Sequence, residues 1–351
     1  MKPLAVSQTP EAHPLTEAPA LYRRRARETI TMDNHNAVFT SEDLELLKRL
    51  SPELFASVQA NEPFADQAAR GILANRKRRQ QTDESAESPQ LPAVQLPLWP
   101  EPVRAVPNGV LRSALFGAIR KGRRRYMEQE QVAALAGIEV FYTGPRLDQG
   151  DLDVWESILH TLREQNMGAE CRTTSYHLLK LMGLSDTGKN RDTLQTRITR
   201  LRANAVTIKQ GRYEYIGGLL DRAARDEDTQ EWVIVLDPNM RALFAPDQFT
   251  MIQWSVRRAL SGQPLAQWLH GFYSSHAAPH LIKVETLYKL SGSEAGELWI
   301  FTQKLKKALD AVARACAAAG ETFEWRIEDG LVYVTRTPSK SQRRHLARHG
   351  K

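Results

Sequence analysis

The chain has 351 residues, with 48 Lys or Arg against 41 Asp or Glu and a formal charge of +7. That length accommodates two ordinary domains with separate cores, and the basic excess favours a polyanionic partner, because neutralising phosphates releases condensed counterions. Two cysteines, Cys171 and Cys316, exclude a disulfide scaffold or cysteine zinc site, and no apolar run approaches membrane-spanning length.

Both cysteines lie in helix-like sequence and read as buried thiols. The opening residues carry no apolar core followed by a small-residue cleavage site, so a cytoplasmic protein is expected. Residues 1–90 read as a largely disordered tail, rich in Pro, Ser, Gln and charge, that cannot bury enough apolar surface to offset chain entropy. Within it a helical stretch opens at Thr40-Ser41-Glu42-Asp43 and carries Leu47, Leu50, Leu54 and Val58 at helical spacing. A second, over residues 65–79, ends in Arg76-Lys77-Arg78-Arg79, a solvated face or a phosphate contact.

Residues 91–107 form a Pro-rich linker. Each proline fixes φ and disfavours helix before it, so the segment is extended. Solvated linkers seldom carry Leu96, Leu98 and Trp99 together. Either this one packs back onto a domain or it is displayed to a partner.

From Asn108 the pattern occurs twice. In residues 108–247 Asn108 caps a short helix through Leu115 and Phe116, and a strand covers residues 138–142. A helix opened by Asp148 and Asp151 then sets Trp155, Ile158, Leu159 and Leu162 on one face. A helix over residues 173–183, stopped by Gly183, and another over 190–203 follow. Strands are expected at 206–209, 213–220 and 232–236. In residues 248–337 helices are predicted at 252–272, 284–290 and 294–318. A hairpin follows, turning at Asp329-Gly330. Helix, helix, turn, helix and hairpin is the order of a winged helix. The expectation is an α+β protein with two tandem winged-helix domains, ended by a basic tail over 338–351.

In the helix over 190–203, Leu194, Ile198 and Leu201 make the apolar stripe. At about 100° per residue the opposite face presents Asp192, Gln195, Thr196, Thr199 and Arg200, flanked by Arg191 and Arg202. Arginine can reach guanine bidentately, glutamine adenine, and threonine either a hydrogen bond or the thymine methyl. Lys209 and Arg212 are placed at the wing as phosphate contacts. The second candidate helix turns Gln303, Lys304, Lys307 and Arg314 outward, with Lys306 at the edge; lysines suit phosphates better than bases. The run from Arg120 to Arg125 and the tail residues Arg343, Arg344, His345, Arg348 and Lys351 read equally as phosphate contacts or solvated charge.

Two enzymatic patterns fail on inspection. Gly183 to Asn190 nearly spells a phosphate loop, but helix precedes it and Asn190 stands where a magnesium-binding hydroxyl is needed; Asn190 is better placed as a helix cap. No His-x-His pair exists for a metal-dependent nuclease, and His270, His276 and His280 read as surface or capping residues. A non-enzyme with no metal and no cofactor is expected.

Several stretches then resemble the TrfA family of plasmid replication initiators. They are Leu96-Pro97-Leu98-Trp99-Pro100, Arg104 to Asn108, Arg112-Ser113-Ala114-Leu115-Phe116, Tyr142-Thr143-Gly144, Asp151 to Trp155, Leu243-Phe244-Ala245 and Phe272-Tyr273-Ser274-Ser275-His276. The resemblance spans about residues 95–334. It implies binding of repeated origin sequences (iterons) on double-stranded DNA, melting of an adjacent AT-rich segment and recruitment of the host initiator, replicative helicase and sliding clamp. It also implies a dimer–monomer balance that limits copy number. The family's clamp peptide, Gln-Leu-x-Leu-Phe, is matched by Gln95, Leu96, Leu98 and Trp99, departing at Trp99. A transcriptional repressor and a non-catalytic interaction scaffold are the rival readings.

Overall fold

The computed structural model describes residues 39–60, 65–66, 68–70, 72–73, 95–120, 122, 124–229 and 231–349. The chain divides into two compact units, 1–89 and 90–351. The first contains α1 (Ser41–Leu50) and α2 (Pro52–Gln59). Thr40 and Asp43 close a reciprocal capping box on α1. The single helical stretch read from the leucines is broken at Ser51, whose φ of −154° and ψ of 88° leave the helix. Pro52 then restarts it where a missing N–H has no intrahelical partner to lose. The basic cluster at 76–79, much of the predicted helix around it and the start of the linker lie outside the described residues.

In the second unit the linker is packed, not free. Gln95 bridges to Asn166, Leu96 and Trp99 are 2 % and 4 % exposed, and Leu98 alone of the three apolar side chains faces solvent at 66 %. Trp99 stacks on Phe244 and donates its indole N–H to Nδ1 of His160 at 3.0 Å. Nε2–H of His160 completes the chain by donating to Glu101 at 2.9 Å. Burial holds the His160 imidazole down at about 4, so the neutral tautomer suits both bonds. β1 (Val103–Pro107) then pairs antiparallel with β11 (Phe249–Gln253), tying the start of this unit to its middle.

The helix α4 (Gln149–Leu162) organises the first core. Asp148 and Asp151 form its capping box, as their spacing predicts, and Trp155, Ile158, Leu159 and Leu162 are all buried. Each such side chain contributes roughly 1.5–3 kcal/mol. Before it come α3 (Asn108–Leu111), β2 (Phe116–Gly117), β3 (Tyr126–Gln131), β4 (Ile138–Pro145) and β5 (Leu147–Asp148). Asn108 caps nothing here. Its amide reaches across to the Asp247 carbonyl and the Thr250 hydroxyl.

After α4 run β6 (Cys171–Thr174), α5 (Ser175–Leu181), α6 (Gly188–Arg202), β7 (Ala205–Gln210), β8 (Tyr213–Gly217), β9 (Arg222–Arg225) and β10 (Glu231–Val235). Cys171 is therefore a strand residue, the helix expected from 173 starts at Ser175 with Thr174 as its cap, and Thr187, not Asn190, caps α6. The hairpin β7–β8 does not belong with β6. It extends β4 to make a four-stranded sheet ordered β3-β4-β7-β8, while β6, β10 and β9 form a separate three-stranded sheet in that order. Alternation explains the choice: Val206, Ile208 and Tyr215 face inward onto the first core with Val140 and Tyr142, leaving Thr207 and Ile216 outside.

The second core begins with α7 (Trp254–Ala259) and α8 (Pro264–Ser274). The long helix predicted over 252–272 is thus split. Residues 249–253 are strand, and Gly262 at φ +81° followed by Pro264 interrupts the rest. Then come β12 (Ile282–Lys283), α9 (Val284–Leu290), α10 (Leu298–Ala318), β13 (Phe323–Glu328) and β14 (Leu331–Arg336), and α11 (Lys340–His349) covers the tail. The sheet order is β12-β14-β13. Strand, helix, helix and hairpin, with the last strand in the middle of its sheet, therefore occur twice: β6-α5-α6-β9-β10 and β12-α9-α10-β13-β14. The whole is a mixed α+β architecture. Among the described residues no helix is long and apolar enough to cross a membrane.

The two cores meet through polar bonds anchored on α4. The fully buried Arg257 of α7 donates to Asp153 at 2.7 Å and to the Gln149 side chain and carbonyl at 3.2 and 3.1 Å, and lies 3.0 Å from Glu156. Gln267 of α8 also donates to Asp153 at 3.1 Å. His270 and His276, expected at the surface, are buried on and just after α8. Burial holds them at about 3 and about 4.

Candidate nucleic-acid interface

The helix α6 buries Leu194, Ile198 and Leu201, as the periodicity predicts. One flank lies against the start of α4. There Arg200 donates twice to the Asp151 carboxylate at 2.7 Å, and Arg197 donates to Asp148 at 3.0 Å, joined by Arg124. Burial alone would raise Asp148, but Arg197 and Arg124 hold it below the usual carboxylate range. Burial and the Asp148 charge push Asp151 up. Arg200 was expected on the outward face and is instead a partner of α4, only 15 % exposed at its side chain. Helical angle alone places it outward; the neighbouring helix covers that flank.

The other flank meets the hairpin β9–β10, where Arg225 donates to the Gln195 carboxamide at 2.9 Å. Between the flanks Lys189, Asp192, Thr193, Thr196 and Thr199 are exposed, with Arg202 at the C-terminal turn. The Thr196 hydroxyl donates back to the Asp192 carbonyl at 2.8 Å, which leaves its methyl and an acceptor lone pair. Arg191 is exposed but bidentate to Asp186, at 2.6 Å through each nitrogen. Lys209 and Arg212 are not beside this helix's own hairpin. Lys209 sits on the four-stranded sheet 4.0 Å from Glu139, and Arg212 stacks on Tyr213 at the β7–β8 turn. The hairpin in the same sheet as β6 is β9–β10, whose turn carries Asp226, Glu227 and Asp228.

On α10 the outward residues have no such clamps among the described residues. Phe301, Leu305, Leu309, Val312 and Cys316 are buried, while Gln303, Lys304, Lys306, Lys307 and Arg314 are exposed. One residue was missed by the sequence reading. Trp299, 67 % exposed, shares the stripe of Gln303 and Lys307 at spacings of four and eight. Those spacings are visible in the sequence.

The segment 95–99 departs from the displayed-peptide expectation. Two of the three anchors assigned to a sliding-clamp groove, Leu96 and Trp99, are inside the first core, so only Gln95 and Leu98 are accessible. The physical cause is the Trp99–His160–Glu101 chain, which satisfies the indole N–H that an exposed peptide would leave to solvent.

The TrfA protein family model matches residues 60–336. The plasmid replication initiator protein TrfA of Escherichia coli is 28 % identical over 266 residues, covering 73 % of this chain and 67 % of that protein. Two solved structures are similar: domains 2 and 3 of RctB (TM-score 0.45, 14 % identity, 66 % of this chain and 96 % of that one) and the Pi initiator protein in complex with iteron DNA (TM-score 0.40, 10 % identity, 54 % and 92 %). The family match extends over most of the chain, and it covers Trp99 and Trp155 of the first core, Asp151 of the α4 capping box, and Arg112, which donates to the Ser275 hydroxyl at 2.9 Å. This chain belongs to the TrfA family of plasmid replication initiators, a non-catalytic family.

Proposed function

We propose that the chain initiates plasmid replication by binding repeated origin sequences, iterons, on double-stranded DNA, with residues 108–247 and 248–337 acting as two winged helices. The carrying observation is the repeated strand–helix–helix–hairpin topology, with its third element, α6 or α10, turning a polar face to solvent each time. In a winged helix that element enters the major groove. On this reading α6 reads bases through Gln195, Thr196 and Thr199. The helix α10 adds affinity through Lys304, Lys307 and Arg314, because lysine is a point charge without base-edge geometry. Origin opening, recruitment of the host initiator and helicase, and a dimer held in reserve belong to the same reading.

A footprint on DNA of the plasmid that carries the gene tests it. Two helices in successive major grooves predict protection of about 20 base pairs per monomer, arranged as direct repeats. A single palindromic site protected only by a dimer would overturn iteron binding in favour of a repressor. Binding with no preference for any sequence would remove both.

A further inference from the structure

Resting on that reading, we infer that a groove joining α6 to α10 is a track for the phosphodiester backbone, with Arg120, Lys189 and Arg258 as its phosphate-binding cations. Two cavities, of about 490 and 480 Å³, lie side by side and share Ile119, Arg120, Gly262 and Pro264 as a common wall. The first is lined by Lys189, Asn190 and Thr193 of α6 together with Arg258 of α7. The second is lined by Lys304 and Lys307 of α10. A continuous groove thus runs from one proposed reading helix to the other, and Arg120 stands where its two halves meet.

The charge balance of this groove is one-sided. Its acids are spoken for: Asp148 by Arg124 and Arg197, Asp153 by Arg257 and Gln267, and Glu294 by Arg146. Among the described residues Arg120, Lys189, Arg258, Lys304 and Lys307 have no acidic partner within ion-pair distance, so the groove keeps a surplus of cations. The basic run after Ile119 is divided in the same way. Arg124 is tied to Asp148 and the Arg120 carbonyl and Arg125 to Glu130, which leaves the Arg120 side chain to face the groove. A cation-lined groove between two polar helices matches a polyanion that passes from one to the other. Unpaired cations there repel one another until a phosphate arrives. The near phosphate loop at Gly183 to Asn190 borders the same space, so a phosphate carried by a free nucleotide is the second source of the same chemistry.

The test uses the full chain and the variant Arg120→Gln/Arg258→Gln, both side chains being exposed and outside the cores. Binding to an origin-repeat duplex and to an unrelated duplex of equal length is measured by anisotropy at several salt concentrations. The expected result is a salt dependence shallower by about 1.8 in log–log slope, from about 0.9 for each phosphate that is no longer neutralised. Both duplexes should weaken by the same factor, so the preference for the repeat is retained. An unchanged slope overturns the track, even if the parent still prefers the repeat. If the parent shows no such preference, the initiator reading fails instead, and the two failures are told apart. Thermal midpoints of parent and variant should agree. A lowered midpoint with an unchanged slope would assign Arg120 and Arg258 to structure and overturn the proposal. Titration with ATP separates the sources: tight ATP binding lost in the variant would make the groove a nucleotide pocket, whereas no ATP binding beside the slope change supports the backbone track.

Discussion

The two halves of the folded region share one topology and use it differently. In the first half the outward helix is held on both flanks, by Arg197 and Arg200 against Asp148 and Asp151 and by Gln195 against Arg225. In the second, α10 carries exposed lysines with no comparable clamp among the described residues. The first half also spends an extra hairpin, β7–β8, on a second sheet, and seals its core with the preceding linker. A clamped helix presents its side chains in one geometry, which suits discrimination between bases. A row of free lysines presents charge without fixed direction, which suits affinity.

The widest effect should come from the junction that makes the halves one body. Burial pushes the Glu156 carboxyl up to about 8, although Arg257 opposes this. A group raised in the folded state contributes stability below its unfolded value of 4.5 and loses it as pH climbs towards 8. At about 1.4 kcal/mol per unit the ceiling is roughly 5 kcal/mol. Glu156→Gln should flatten the fall in unfolding free energy between pH 5 and 8. It should leave intact a separate loss below pH 6.5, where the buried imidazoles of His160, His270 and His276 are forced to charge. Urea titrations across pH check both limbs; a variant as pH-sensitive as its parent above pH 5 contradicts the assignment.

Next in size is the seal of the first core. Trp99→Ala should cost about 3–5 kcal/mol through lost packing and the stranded His160 nitrogen, while Leu98→Ala stays within about 0.5 kcal/mol. Equal, small effects at both positions would mean that the segment is displayed after all.

The clamp on α6 comes third. Arg200→Ala should destabilise by about 1.5–3 kcal/mol, the range for a hydrogen bond to a buried charge, whereas Lys307→Ala should leave the unfolding midpoint within error. The contrast between halves is lost if the two variants unfold alike.

Base readout is the finest distinction. Gln195→Ala should change preference at one position of the repeat by about 1–3 kcal/mol. Lys307→Ala should weaken every sequence alike and reduce the salt slope by about 0.9. Selection from a randomised repeat distinguishes the two outcomes, and Trp299→Ala belongs in the same set as the exposed aromatic of the second helix.

Legibility in the sequence followed the range of the interactions. The capping box at Asp148 and Asp151, the stripe of Leu194, Ile198 and Leu201, and the turn at Asp329-Gly330 are decided within a few residues, and they stand where periodicity places them. What failed depends on partners far along the chain. Helical angle puts Arg200 outward, but Asp151, 49 positions earlier, draws it in. Alternation marks strands at 206–209 and 213–220, but only pairing with β4 decides that this hairpin leaves the α5–α6 unit. His270 and His276 look polar, yet the second core encloses them. At the candidate site the outward Thr196, Thr199, Lys304 and Lys307 were legible, whereas the inward turn of Arg200 and the placement of Lys209 and Arg212 were not.

The burial of Arg257 carries a mechanical meaning. Swinging one half against the other would pull its guanidinium away from Asp153, Gln149 and Glu156 with no water to replace them. The angle between the halves is therefore stiff, and under the proposed function a duplex engaged by both would have to supply the compliance. Spacing then becomes a matter of elasticity: a repeat with one base pair too many must overtwist or bend to fit. Flexible steps such as TA placed at its centre would be favoured without being touched.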